Sequence, residues 1–198
     1  MQQEFSENAM LERISQDRII ATLTKRLASL NLNQCYLTAG CLFQTVWNDR
    51  SDTPSKLKDY DVFYFDESNL AYDEEDRAIQ EIKQLVSDLG ICVDVKNQAR
   101  VHLWYSEKFG GNYPKLINST DGIDRFLIRC TCVGLNVQTH ELYAPNGCQE
   151  IWEGILRVNP LNPRRELFLA KAQDFRRRWP WLHIIYEDGS LCAESSPP

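Results

Sequence analysis

The sequence is poor in net positive charge, in long apolar runs and in the short motifs of the commonest phosphate and ester chemistries. Lys plus Arg number 22 against 28 Asp plus Glu, a net charge of −6. That balance argues against a nucleic-acid partner held by a broad basic surface, and leaves room for a small anion bound locally or through a metal. No apolar run reaches ten residues, so no segment is long enough for a membrane-spanning helix and no membrane partner is expected. The start, Met1-Gln2-Gln3-Glu4-Phe5-Ser6-Glu7, has neither the basic nor the apolar region of a secretory leader. A Gly-x-x-x-x-Gly-Lys loop and a Gly-x-Ser-x-Gly elbow are both missing, which excludes the P-loop and serine-hydrolase readings. The seven cysteines are odd in number and include no Cys-x-x-Cys; Cys130-x-Cys132 is poor zinc spacing. They read as free thiols in a reducing cytoplasm, most of them acting as small hydrophobes inside apolar segments.

What is present is an ordinary globular composition. With 198 residues, 43% of them hydrophobic, the chain can bury a core without disulfide or metal staples. One domain is expected over residues 1–186, followed by a polar tail over 187–198 that ends in two prolines and is expected to fray. Apolar spacing predicts a helix from Met10 to Leu30 and a short strand from Cys35 to Ala39. Gly40 breaks that strand, and a helix from Cys41 to Trp47 follows it directly. After a polar loop containing Pro54, Tyr60 to Phe65 is an aromatic, β-branched strand. Asp73 to Leu89 reads as an amphipathic helix whose acidic start, Asp73-Glu74-Glu75-Asp76, is expected to be a solvated first turn. Ile91 to Val95 is the next strand, and Arg100 to Phe109 fits either strand or helix. A short helix from Ser119 or Thr120, a strand pair over Arg129–Val137 and Glu141–Ala144, and helices over Cys148–Gly154 and Arg164–Trp179 complete the chain. This order predicts an α/β (α+β) fold, a mixed β-sheet flanked by helices.

Three segments carry chemistry. In Ala39-Gly40-Cys41 a strand ends in glycine and runs into a helix, where free N–H groups and the positive dipole end can receive a phosphate; such a glycine also serves as a simple turn. In Lys58-Asp59-Tyr60-Asp61-Val62-Phe63 the two carboxylates lie two apart at a strand start and leave the same face. A magnesium ion, hard and oxygen-seeking, suits such a pair, and a solvated strand start is the plainer alternative. In Ile91-Cys92-Val93-Asp94-Val95-Lys96, Asp94 interrupts an apolar strand. It lies either on an exposed sheet face or beside Asp59 and Asp61. Lys96 shares its parity.

This combination resembles the nucleotidyltransferase fold of the DNA polymerase β superfamily. More closely, Ala39-Gly40-Cys41 with Thr45-Val46-Trp47-Asn48-Asp49, Lys58-Asp59-Tyr60-Asp61-Val62-Phe63-Tyr64-Phe65-Asp66 and the stretch from Val95 to Tyr105 resemble a bacterial family of small nucleotidyltransferase proteins. Thr131 to Gly134 and Tyr143-Ala144-Pro145-Asn146-Gly147 extend the likeness to about residues 10–182. Where the superfamily usually has Gly or Ser after the first glycine, this chain has Cys41, so a hydroxyl contact is lost and the backbone N–H remains.

The resemblance implies a cytoplasmic enzyme that moves a nucleoside monophosphate from a nucleoside triphosphate to an acceptor hydroxyl, small-molecule or macromolecular, and releases pyrophosphate. It implies Asp59, Asp61 and Asp94 as catalytic residues and ligands of magnesium or manganese. Gly40, Cys41, Lys96 and Arg100 are implied as nucleotide contacts. The alternative is a non-catalytic nucleotide-binding or partner-binding protein, a toxin–antitoxin component included, that keeps the fold. The run Arg176-Arg177-Arg178 reads as a solvated helix end favourable to the dipole, with a clamp on a polyanionic acceptor as the second reading. His102, His140 and His183 read as structural or surface residues, and Trp104 and Tyr105 as packing.

Overall fold

The computed structural model describes residues 4–186. The predicted N-terminal helix is two helices, α1 (Glu7–Gln16) and α2 (Arg18–Ala28). Asp17 separates them: its backbone is extended, and its carboxylate accepts from the N–H groups of Ile19 and Ile20 and so caps α2. The chain then forms β1 (Tyr36–Thr38) and α3 (Gly40–Asp49), joined at Ala39. After the polar loop come β2 (Tyr60–Tyr64), α4 (Tyr72–Leu85) and β3 (Val93–Asn97). Gly90, at φ +63°, supplies the left-handed turn before β3.

The segment 101–109, open in the sequence, is helix α5 (Val101–Phe109), and the short helix α6 (Ser119–Ile123) is capped by Asn118. The predicted strand from Arg129 is shorter. Residues Arg129–Thr131 form a 3₁₀ turn, and only β4 (Gly134–Asn136) pairs with β5 (Leu142–Tyr143). The remaining elements are α7 (Gln149–Glu153), β6 (Ile155–Arg157), α8 (Arg165–Arg178) and β7 (His183–Ile185).

The main sheet has the order β3-β2-β1-β4-β5. Strands β2 and β3 are parallel, with α4 as their crossover, and the other neighbours are antiparallel. One row across the sheet, Leu135–Leu37–Val62–Val95, is buried. The next row, Gly134–Thr38–Asp61–Asp94, lies on the opposite face by the period of two. The sheet therefore has an apolar side and a side that carries the carboxylates.

Strands β6 and β7 form a separate parallel pair, unforeseen in the sequence, with α8 as the crossover between them. Three-residue strands are too short to show a period. An aromatic box fixes α8 against α3. Trp47 meets Phe175 and Trp179 edge-on, with centroids 5.2 and 5.3 Å apart, and Phe43 packs on Phe175 at 5.6 Å. The indole of Trp179 donates to Asn48 at 2.9 Å, and that of Trp47 to the Ile151 carbonyl at 3.0 Å. Both tryptophans are fully buried with their N–H groups satisfied, which is the condition for a stabilising buried indole. This docking brings one face of α8 to the carboxylate end of the sheet.

The acidic start of α4 is not wholly solvated. Glu75 is buried; it accepts from the N–H of Asn97 at 2.8 Å and forms an ion pair with Arg100.

Candidate active site

Strand β1 runs antiparallel to β2 and β3, so its C-terminal end meets their starts. There Ala39 turns the chain into α3 with φ +60° and ψ −132°, a conformation that alanine rarely adopts. The strained turn places Gly40 on a cleft of about 320 Å³ that also holds Asp59 and Asp61.

Asp61 and Asp94 are registered partners across the β2–β3 pair, and Asp59, just before β2, shares the cleft with Asp61. Asp61 is half-buried. Burial pushes its carboxyl up to about 7, Asp59 and Asp94 add to the rise, and the ammonium groups of Lys171 and Lys96 oppose it. The charges of Asp59 and Asp94 thus reach Asp61, as expected where carboxylates crowd. Asp94 is half exposed and bonds to Lys96 Nζ at 2.5 Å. That ion pair holds the third carboxylate on its own strand.

The structure separates the expected nucleotide contacts. Gly40 lines the cleft. Cys41 does not: its side chain is fully buried, and its Sγ donates to the Thr38 carbonyl at 3.3 Å. Burial, and next Asp61, hold that thiol well above its ordinary range. Lys96 serves Asp94. Arg100 is corrected: it lies beyond the far end of β3, where it pairs with Glu75, donates to the Leu70 carbonyl at 2.9 Å, and bears electrostatically on Tyr64. Its buried charge is spent on a buried partner.

Two residues of the cleft carry no motif. Lys171 and Arg178 of α8 line it with Lys58. Their separation of seven places them on one face with Phe175, a spacing legible in the sequence. The solvated reading of Arg176–Arg178 is thus corrected at Arg178, whose side chain is only 17% exposed. The guanidinium meets Asp174 Oδ2 at 3.1 Å, donates to Gln44 Oε1 at 3.4 Å, and lies 4.5 Å over the Trp179 ring. Its Nε is buried without an acceptor. Lys171 is exposed at the cleft it shares with Asp59 and Asp61.

Among the described residues no three His, Cys, Asp or Glu side chains gather as a metal-holding group. The donor set nevertheless suits magnesium. That ion is commonly held by one or two carboxylates, with substrate phosphates and water completing its shell. Asp59 and Asp61 offer such a pair on one cleft.

The fold and the carboxylate row define a nucleotidyltransferase-type domain. The family model described as Nucleotidyltransferase matches residues 25–184, and the chain belongs to that family. A solved structure, described as an NMR structure that reveals a CCA-adding enzyme head domain, is similar with a TM-score of 0.72 and 24% identity. The match covers 91% of this chain and 95% of that one, and shows that the two share a fold. No curated protein matches the chain. Among the described residues no helix is long and apolar enough to cross a membrane.

Proposed function

We propose that the chain transfers a nucleoside monophosphate from a nucleoside triphosphate to an acceptor hydroxyl and releases pyrophosphate. Asp59 and Asp61 are the ligands of a magnesium or manganese ion, and Asp94 joins them when Lys96 lets it go. The observation that carries this reading is Asp61, which shares a cleft of about 320 Å³ with Gly40 and Asp59, is registered against Asp94, and is pushed up to about 7 by burial and by those two carboxylates. When bound, such an ion would neutralise phosphate charge and lower the pKa of the acceptor hydroxyl. The chain's own part is positional. Gly40, on the cleft at the start of α3, would let phosphate approach the free N–H groups of a helix N-terminus. Asp94, half exposed, is the residue we assign to take the acceptor proton once Lys96 releases it.

The experiment is pyrophosphate release from each of the four common triphosphates, with magnesium and then with chelator. Pooled small-molecule hydroxyls form one acceptor arm. RNA forms another, because the similar solved structure is described as a CCA-adding enzyme head domain. Release that requires the metal and is lost in Asp61→Asn supports the reading. Tight triphosphate binding without release in any arm selects the non-catalytic alternative, which the Lys96 hold on Asp94 favours.

A further inference from the structure

We propose that Lys171 and Arg178 of α8 form the phosphate-binding wall of this cleft, and that Lys171 is the resident counter-cation of Asp59 and Asp61 until a divalent ion replaces it. The inference rests on the nucleotidyl-transfer reading and adds to it the residues that hold the phosphates and the coupling between the two ligands.

The geometry begins with α8. The aromatic box fixes this helix on α3, and Lys171, Phe175 and Arg178 follow one another on a single face. That face looks onto the cleft of Gly40, Asp59 and Asp61. Arg178 is rigidly held by Asp174, Gln44 and two aromatic rings. Its buried Nε still has no acceptor. Arg178 also lines the cleft, and phosphate is the anion that a fixed guanidinium suits best.

Lys171 differs. It lines the same cleft as Asp59 and Asp61, exposed to solvent, with its ammonium 5.8 Å from the Phe175 ring centroid. One ammonium cannot serve two carboxylates and a phosphate together. A divalent ion on the carboxylates repels Lys171 and takes its counter-charges, which leaves it for phosphate. Phosphate that draws Lys171 away leaves the carboxylates for the ion. Each ligand therefore raises the affinity of the other, and the coupling is reciprocal. Lys96 and Arg100 are already engaged by Asp94 and Glu75, and Lys58 lines the cleft with Lys171 and Arg178.

The test is calorimetric titration of inorganic triphosphate and of manganese, each alone and then together, into wild type, Lys171→Met and Arg178→Lys. Inorganic triphosphate isolates the phosphate wall from base and ribose. Lys171→Met is expected to bind manganese alone more tightly than wild type. It is expected to bind triphosphate about tenfold or more weakly, the loss of one charge-assisted hydrogen bond, and to lose part of the mutual enhancement, the rest coming from phosphate bound directly to the ion. Arg178→Lys keeps the charge and the fold but loses the fork, and should weaken triphosphate with manganese affinity unchanged. Wild-type triphosphate affinity in both variants, or weaker manganese binding in Lys171→Met, overturns the inference and leaves the nucleotidyl-transfer reading standing. Failure of wild type to bind triphosphate or any nucleoside triphosphate with manganese overturns both.

Discussion

Asp61 and Asp94 stand as registered partners across the parallel β2–β3 pair, on the face of the sheet away from its apolar row. Two carboxylates so placed repel, and the protein meets that repulsion in two ways. Lys96 bonds to Asp94 on its own strand, and Asp61 holds its proton up to about pH 7.

The raised Asp61 makes metal-free stability depend on pH, and the sign follows from linkage. In the unfolded chain this carboxyl ionises near pH 4, as an ordinary aspartate does. Between there and about 7 the folded chain holds more protons than the unfolded one, so stability falls as pH rises and the loss is complete above the folded value. Asp61→Asn removes the charge. We expect it to raise stability in chelator at pH 8 by roughly 1–3 kcal/mol and to bring no gain near pH 4. Denaturant unfolding across that range checks it. A gain that is the same at both ends would show that charge is not the cause.

Arg100 supports the fold. Its pair with Glu75 is buried, and Glu75 also accepts from Asn97. Arg100→Met strands a buried carboxylate and is expected to destabilise by about 3–5 kcal/mol. The double variant with Glu75→Gln should recover part of that loss. Triphosphate affinity measured on the folded fraction should match wild type; a selective loss of affinity would return Arg100 to the site.

Gly40 touches the anion wall indirectly. A Cβ there would lie 2.5 Å from Gln44 Nε2, the end of a flexible side chain whose oxygen accepts from Arg178. Gly40→Ala should therefore leave stability within about 1 kcal/mol of wild type, in the range of an ordinary single substitution. It should weaken triphosphate binding severalfold as Gln44 shifts and Arg178 loses its support. Thermal melting and titration together test this. A large drop in melting temperature with affinity intact would mean that the close approach serves packing alone.

Ala39 holds a conformation that suits glycine, at φ +60° and ψ −132°. Ala39→Gly relieves strain of about 1–3 kcal/mol and loses about 0.4–1 kcal/mol through the freer unfolded chain. The expected net is a gain of roughly 1 kcal/mol. Ala39→Val, bulkier at a positive φ, should lose stability. Equal stability of all three would place the strain elsewhere.

The sequence by itself determined which side chains of the central strands share a face. The alternation around Asp59, Asp61 and Asp94 fixes their common face, because a strand's period of two is local and short-range. The apolar partners Leu37, Val62 and Val95 fix which face is buried for the same reason. Tertiary structure alone decided which cations reach that face. Lys96 and Arg100 are near in sequence, yet one is engaged by Asp94 and the other by Glu75. Lys171 and Arg178 lie over a hundred residues from Asp61, and reach its cleft because Phe175 and Trp179 pack on Trp47. Contacts of such long range depend on how aromatic surfaces interlock. No spacing along the chain encodes that, and for the same reason the three-residue strands β6 and β7 that flank α8 left no pattern to find.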